Sequence, residues 1–305
     1  MASTPGTVPA GDRAVTSRPM EIVLKRIGLV GSGIMGSGIA EVAAKSGHEV
    51  VLRSRHRSSG EAMLAGLRKS LAKQVERGKL TDTERESVLS RVAITEDLDD
   101  LESCDLVIES VVEDLKLKQE LFAQLDQVCQ PDTILASNTS TLPVIELAMA
   151  TARPSQVCGV HFFNPAPAMS LVEIIRPITA SDTTMNSVRA FAAACGKDAV
   201  DVQDRAGFVV NALLFPYLNN AVRLWEHGTA SVADIDTAMR GGCNFPMGPF
   251  ALLDLVGLDT SLAILDALYH EFRDANYAAV PTLRRMVAAG QLGRKSGKGF
   301  YDYSH

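Results

Sequence analysis

The chain has 305 residues, 46% hydrophobic and 22% charged, enough for a substantial core and more in keeping with two domains than one. A formal net charge of −6 argues against a general binder of nucleic acid or anionic membranes. No apolar run reaches the roughly 18 residues of a membrane span, and five scattered cysteines without a C-x-x-C pair read as reduced thiols of a cytoplasmic protein with no metal cluster.

Residues 1–24, rich in Ala, Ser, Thr, Pro and Gly and lacking a secretory apolar core, read as a disordered tail. The apolar run Ile27 to Val30 then predicts a strand, and Ile39 to Ala44 predicts a helix. Between them lies Gly31-Ser-Gly-Ile-Met-Gly, a G-x-G-x-x-G turn. Gly31 permits the tight turn, Gly33 lets the backbone approach a pyrophosphate, and Gly36 lets helix and strand pack closely. The anion is expected on the free N–H groups around Ile34 and Met35, at the positive end of the helix dipole.

The helix is expected to end near Gly47, and Glu49 to Arg53 reads as the second strand. In a dinucleotide fold an Asp or Glu closes this strand and binds the adenosine ribose. Here Ser54 stands instead, flanked by Arg53, Arg55 and Arg57. Loss of the carboxylate and gain of guanidinium groups suits a 2′-phosphate, so the expectation is NADP(H) over NAD(H). Residues 61–90 read as a charged helical hairpin with its break at 78–83, and Ser70 and Arg77 lie on its first helix.

Strand-like runs at 92–95, 105–109 and 133–136, alternating with a helix over 115–128, predict an α/β fold with a doubly wound, mostly parallel sheet. Ligands in such sheets lie beyond the carboxyl ends of the strands, which places Glu113, Lys118 and the segment Ser137-Asn138-Thr139-Ser140 near the cofactor. The runs 157–163 and 171–175 are separated by Asn164-Pro-Ala-Pro, too short a gap for a crossover helix, so they are expected to pair antiparallel. That pairing brings His161 and Glu173 together. A carboxylate so placed orients the imidazole, fixes its tautomer and favours its protonated form, as a general acid/base requires.

From residue 206 only helical periods remain, with Phe208 to Trp225 carrying Pro216 and further helices over 231–240, 250–272 and 282–289. The expected division is a dinucleotide-binding domain over 25–203 and an all-helical domain over 204–305, whose apolar stretch 245–258 suggests a homodimer through that domain. Asn211 is a polar residue at the head of its first helix.

Six segments in order resemble the 3-hydroxyacyl-CoA dehydrogenase family: the glycine turn, Ala136-Ser-Asn-Thr-Ser, His161-Phe-Phe-Asn-Pro, Gly207-Phe-Val-Val-Asn, Pro246-Met-Gly-Pro-Phe and Gly297-Lys-Gly-Phe-Tyr. The likeness runs from about Lys25 to the C-terminus and is nearest to the bacterial single-function 3-hydroxybutyryl-CoA enzymes. It implies His161 as the catalytic base, Glu173 as its orienting partner, and Ser140 and Asn211 at the reacting end of the substrate. It places cofactor contacts at Glu113, Lys118 and Asn138, and contacts to an acyl-CoA substrate at Ser70, Arg77 and Asn164. Arg77 stands where the family has a lysine, and Ser54 where it has the ribose-binding Asp. Two other readings are a dehydrogenase of the same fold acting on a carrier-protein-bound acyl group, and a non-catalytic relative of the lens-crystallin kind.

Overall fold

The computed structural model describes residues 24–304; the tail expected over 1–24 falls outside the described residues except for Leu24, which is buried in the core. Strand β1 (Arg26–Val30) leads through the glycine turn into α1 (Ile34–Lys45), followed by β2 (Glu49–Arg53). The hairpin is α2 (Arg57–Glu76) and α3 (Asp82–Ser90), the latter started by a capping box in which Thr81 and Glu84 satisfy each other's backbone N–H. Then come β3 (Val92–Thr95), β4 (Leu106–Glu109), α4 (Leu115–Val128) capped by Asp114, β5 (Ile134–Ser137), α5 (Val144–Ala148), β6 (Val157–Phe162) and β7 (Leu171–Arg176).

One sheet of eight strands results, ordered β3-β2-β1-β4-β5-β6-β7-β8, with β8 spanning Asp198–Gln203. All neighbours pair parallel except β6 and β7, which are antiparallel as the short gap predicts. Strand order reverses between β1 and β4, and the glycine turn sits at the carboxyl end of β1, at that switch point. Side-chain alternation along β1 sends Ile27 and Leu29 to the face covered by α1, α2 and α6 (Asp182–Ala194), and Val30 to the face covered by α4 and α5. The architecture is therefore a Rossmann-type doubly wound sheet.

Helix α6 and strand β8 are elements that the structure adds to those expected from the sequence. Strand β8 is one of the two sheet edges, and of its six residues only Val202 is buried, so its period is masked by Asp198, Asp201 and Gln203. Helix α6 is started by Ser181, whose hydroxyl accepts from the Thr184 N–H.

The remaining helices form a separate core: α7 (Val210–Glu226), α8 (Val232–Cys243), α9 (Pro249–Val256), α10 (Leu258–Phe272) and α11 (Pro281–Ala288). The stretch read as one helix over 250–272 is two, because Gly257 takes φ +102° and breaks the ladder. Two buried carboxylates fasten the end of the chain to this core. Asp254 accepts from the N–H groups of Phe300 and Tyr301, both at 2.9 Å, and Asp236 accepts from the Tyr301 hydroxyl and from the Phe250 and Ala251 N–H groups at the start of α9.

Among the described residues no helix is long and apolar enough to cross a membrane, and no three His, Cys, Asp or Glu residues cluster as metal ligands. Four of the five cysteines are buried, and burial pushes the Cys129 and Cys158 thiols up to about 12, which leaves them inert as nucleophiles.

Candidate active site

Each glycine of the turn has a distinct spatial reason. Gly31 has φ +118°, and a Cβ there would stand 2.4 Å from the Ser110 carbonyl oxygen. A Cβ on Gly36 would meet the Gly31 carbonyl oxygen at 1.9 Å, so helix and turn close on each other only through glycine. Gly33 is the opposite case: a Cβ built there meets no protein atom within 4 Å. It caps α1 without a side chain, and the N–H groups of Ile34, Met35 and Gly36 begin the helix with no acidic residue in the first turn. This open cradle of backbone donors fits a dinucleotide pyrophosphate.

Across the sheet, His161 and Glu173 face each other as register partners of β6 and β7. His161 Nδ1 lies 2.7 Å from Glu173 Oε2, with the carboxylate fully buried. The other oxygen, Oε1, accepts the N–H groups of Val209 at 3.0 Å and Val210 at 2.9 Å. Gly207 and Phe208 make that possible: both take positive φ, +71° and +49°, and so turn the first amides of α7 onto the carboxylate. The Phe208 and Phe163 rings pack on the imidazole at centroid distances of 5.5 and 4.5 Å. An ionised carboxylate only accepts, so Nδ1 donates and Nε2 keeps its lone pair. Nε2 is 3.2 Å from Ser140 Oγ.

Ser140 is delivered by the turn after β5. Glu113 Oε1 accepts the Ser140 N–H at 3.0 Å and the Thr139 hydroxyl at 2.5 Å, while its Oε2 meets Lys118 Nζ at 2.9 Å. Burial alone pushes the Glu113 carboxyl up, but the Lys118 ammonium, the Thr139 hydroxyl and the Ser140 N–H outweigh it and hold it below the ordinary value of 4.5. Asn138 Oδ1 accepts the Phe162 N–H at 2.8 Å, tying the same turn to β6. Asn211 is buried one residue beyond Val210, and its side-chain amide makes no hydrogen bond among the described residues. Lys118, expected beside the cofactor, is buried, with its ammonium between Glu113 and Glu109.

Beyond the carboxyl end of β2, Ser54 is buried, its hydroxyl 3.0 Å from Ser32 Oγ and donating to the His56 carbonyl. The three arginines differ. Arg53 Nε donates to the Glu96 carbonyl and Arg57 pairs with Glu61, whereas the exposed Arg55 side chain makes no hydrogen bond or ion pair among the described residues. Glu96, a residue the sequence reading passed over, also accepts the Arg57 N–H at 2.8 Å. On the hairpin, Ser70 donates to buried Glu41 at 2.9 Å, Arg77 is exposed at the end of α2, and Asn164 is exposed in the loop after His161. That loop is held by Lys197, whose ammonium donates to the Ala166 and Met169 carbonyls at 2.7 Å.

A doubly wound sheet with a phosphate cradle at its switch point and a His–Glu pair at the carboxyl edge defines a dinucleotide-dependent dehydrogenase. The chain belongs to the 3-hydroxyacyl-CoA dehydrogenase family: the family's NAD binding domain matches residues 26–205 and its C-terminal domain residues 207–303. It is 47% identical over 290 residues to a 3-hydroxybutyryl-CoA dehydrogenase of Mycobacterium tuberculosis, covering 93% of this chain and 100% of the relative. It is 44% identical over 291 residues to the human mitochondrial hydroxyacyl-coenzyme A dehydrogenase, covering 93% and 92%. The crystal structure of (S)-3-hydroxybutyryl-CoA dehydrogenase from Ralstonia eutropha superposes with a TM-score of 0.90 at 41% identity, over 92% of this chain and 100% of the other.

Proposed function

We propose that the protein moves a hydride between NADP(H) or NAD(H) and C3 of a short-chain 3-hydroxyacyl-CoA or 3-ketoacyl-CoA, the 3-hydroxybutyryl-CoA and acetoacetyl-CoA pair being the type substrate. The observation that carries this reading is the Glu173–His161–Ser140 chain, 2.7 Å and 3.2 Å between successive partners, at the carboxyl edge of the sheet that bears the pyrophosphate cradle. The nicotinamide, when bound, supplies the hydride acceptor or donor.

In oxidation His161 Nε2 takes the proton of the C3 hydroxyl, and Nδ1–H keeps donating to Glu173 Oε2, which stabilises the imidazolium as it forms. In reduction the same Nε2 returns the proton to the C3 oxygen. Ser140 Oγ and the uncommitted Asn211 amide hold the substrate oxygens, and the apolar rings of Phe163 and Phe208 keep water from the imidazole. The Gly31, Gly33 and Gly36 turn with the N–H groups of Ile34 and Met35 holds the pyrophosphate, and Glu113, Lys118 and Asn138 shape the seat beside it. Ser70, Arg77 and Asn164 meet the CoA moiety, the division into domains falls between residues 203 and 204, and the location is cytoplasmic.

NADP(H) is the favoured dinucleotide in this reading, supported by Ser54 in place of a carboxylate and by the unengaged Arg55 guanidinium. A homodimer through the helical domain is supported by Leu213, Leu224, Phe245 and Leu255, all large apolar side chains left exposed there. Acetoacetyl-CoA reduction followed in parallel with NADH and NADPH tests the reading. Turnover with higher kcat/KM for NADPH is expected. Higher kcat/KM with NADH overturns the cofactor preference, turnover only of a carrier-protein thioester overturns the CoA assignment, and turnover of neither overturns the function.

A further inference from the structure

Glu109 closes β4, has no exposed surface, and lies outside every motif described above. Its Oε1 accepts the Val111 N–H at 2.6 Å and meets Lys118 Nζ at 3.0 Å, and its Oε2 accepts from Ser137 Oγ at 2.7 Å. Two arms leave this carboxylate. One runs through the Lys118 ammonium to Glu113 and so to the Ser140 N–H; the other runs through Ser137 Oγ, which accepts the Thr139 N–H at 3.1 Å. Both end on the turn that presents the Ser140 hydroxyl to His161 Nε2.

We propose that Glu109 is a positioning residue, which from beneath the carboxyl ends of β4 and β5 fixes the Ser140 turn and thereby the geometry of proton transfer at His161. This inference rests on the function proposed above. The physical reason is that Lys118 and Ser137 are buried and cannot turn to water for a partner, so their orientation is set by the one carboxylate that faces both. Without the Glu109 charge, the Lys118 ammonium faces only the carboxylate of Glu113, a side chain that is 39% exposed, and both partners gain freedom to move. Glutamine at 109 keeps the shape, but its single acceptor oxygen cannot serve the Val111 N–H, the Lys118 ammonium and the Ser137 hydroxyl together.

The test is a double-mutant cycle of Glu109→Gln with Ser140→Ala, read as kcat and KM in acetoacetyl-CoA reduction, with the Ser140 amide proton shift recorded in the free Glu109→Gln protein. The expected result is a fall in kcat of about tenfold with the acyl-CoA KM within about threefold, and no further fall when Glu109→Gln is added to Ser140→Ala, as for residues acting through one another. The Ser140 amide resonance is expected to move. Equal losses in both backgrounds, or an unmoved resonance, overturn the proposal, since a purely structural carboxylate would give the first. If Glu109→Gln does not fold, Ser137→Ala cuts the second arm alone, and the same cycle and resonance decide. A wild-type enzyme that does not turn over acetoacetyl-CoA overturns the function instead, and the amide shift still reports on the turn.

Discussion

Replacing Glu173 by Gln isolates the proposed acid/base pair with almost no change in volume. Glu173 meets three donors: His161 Nδ1 on one oxygen and the Val209 and Val210 amides on the other. The two amides need an acceptor, so the glutamine oxygen is drawn to the start of α7 and its NH2 turns to the imidazole. Nδ1 must then accept, which moves the ring proton to Nε2 and removes the lone pair that takes the substrate proton in the proposed mechanism. General acid/base assistance is worth about 10²–10⁴ in rate, and a tautomer-reversing amide in a comparable triad costs about 10⁴. The expected fall in kcat is therefore about 10²–10⁴, or roughly 3–5.5 kcal/mol of transition-state stabilisation. Loss of the charge on this carboxylate at the start of a helix also costs up to about 2 kcal/mol of stability. Thermal unfolding separates the two effects, and steady-state assays well below the transition give the first alone. A Glu173→Gln enzyme with kcat within threefold of wild type and unchanged dinucleotide affinity would refute the pairing argument.

The other consequences are as direct. Gly36→Ala drives a methyl into the Gly31 carbonyl at 1.9 Å, so it should cost about 1–3 kcal/mol of stability and open the phosphate cradle, seen as lost NADPH fluorescence enhancement; retained affinity would count against the cradle. Ser54→Asp should lower kcat/KM for NADPH about tenfold or more relative to NADH, whereas Glu96→Gln, by discharging the carboxylate at the Arg57 N–H, should raise it; an unchanged cofactor ratio in both would locate the 2′-phosphate elsewhere. Because Glu113 is held below its ordinary value of 4.5, its stabilising contribution is complete above that value and is lost as pH falls through the lowered one. Glu113→Gln should accordingly flatten the acid limb of Tm against pH below about 4.5, and an identical limb in both proteins would contradict that coupling.

How much of this was legible in the sequence depends on whether a residue's partner was local. The glycine turn is legible in the spacing of its own six residues, and the His161–Glu173 pairing follows from a connection too short to cross over, so both were readable along the chain. The capping of α3 by Thr81 and Glu84 is of the same kind. Edge strand β8 was not readable, because Val202 is its only buried side chain and the exposed Asp198, Val200, Asp201 and Gln203 around it give no period. Glu109 shows the stronger limit. Its partners lie 2, 9 and 28 residues away at Val111, Lys118 and Ser137, and only the parallel pairing of β4 with β5 sets Glu109 opposite Ser137. One trace of it was present all the same: a carboxylate closing the apolar run Leu106-Val-Ile-Glu109 cannot be buried without a cation or several donors, and nine residues on, in the helix that must cover that strand, stands Lys118. Residues with no place in any motif, yet too costly to bury alone, are therefore where a folded site extends past the part of it that sequence spacing describes.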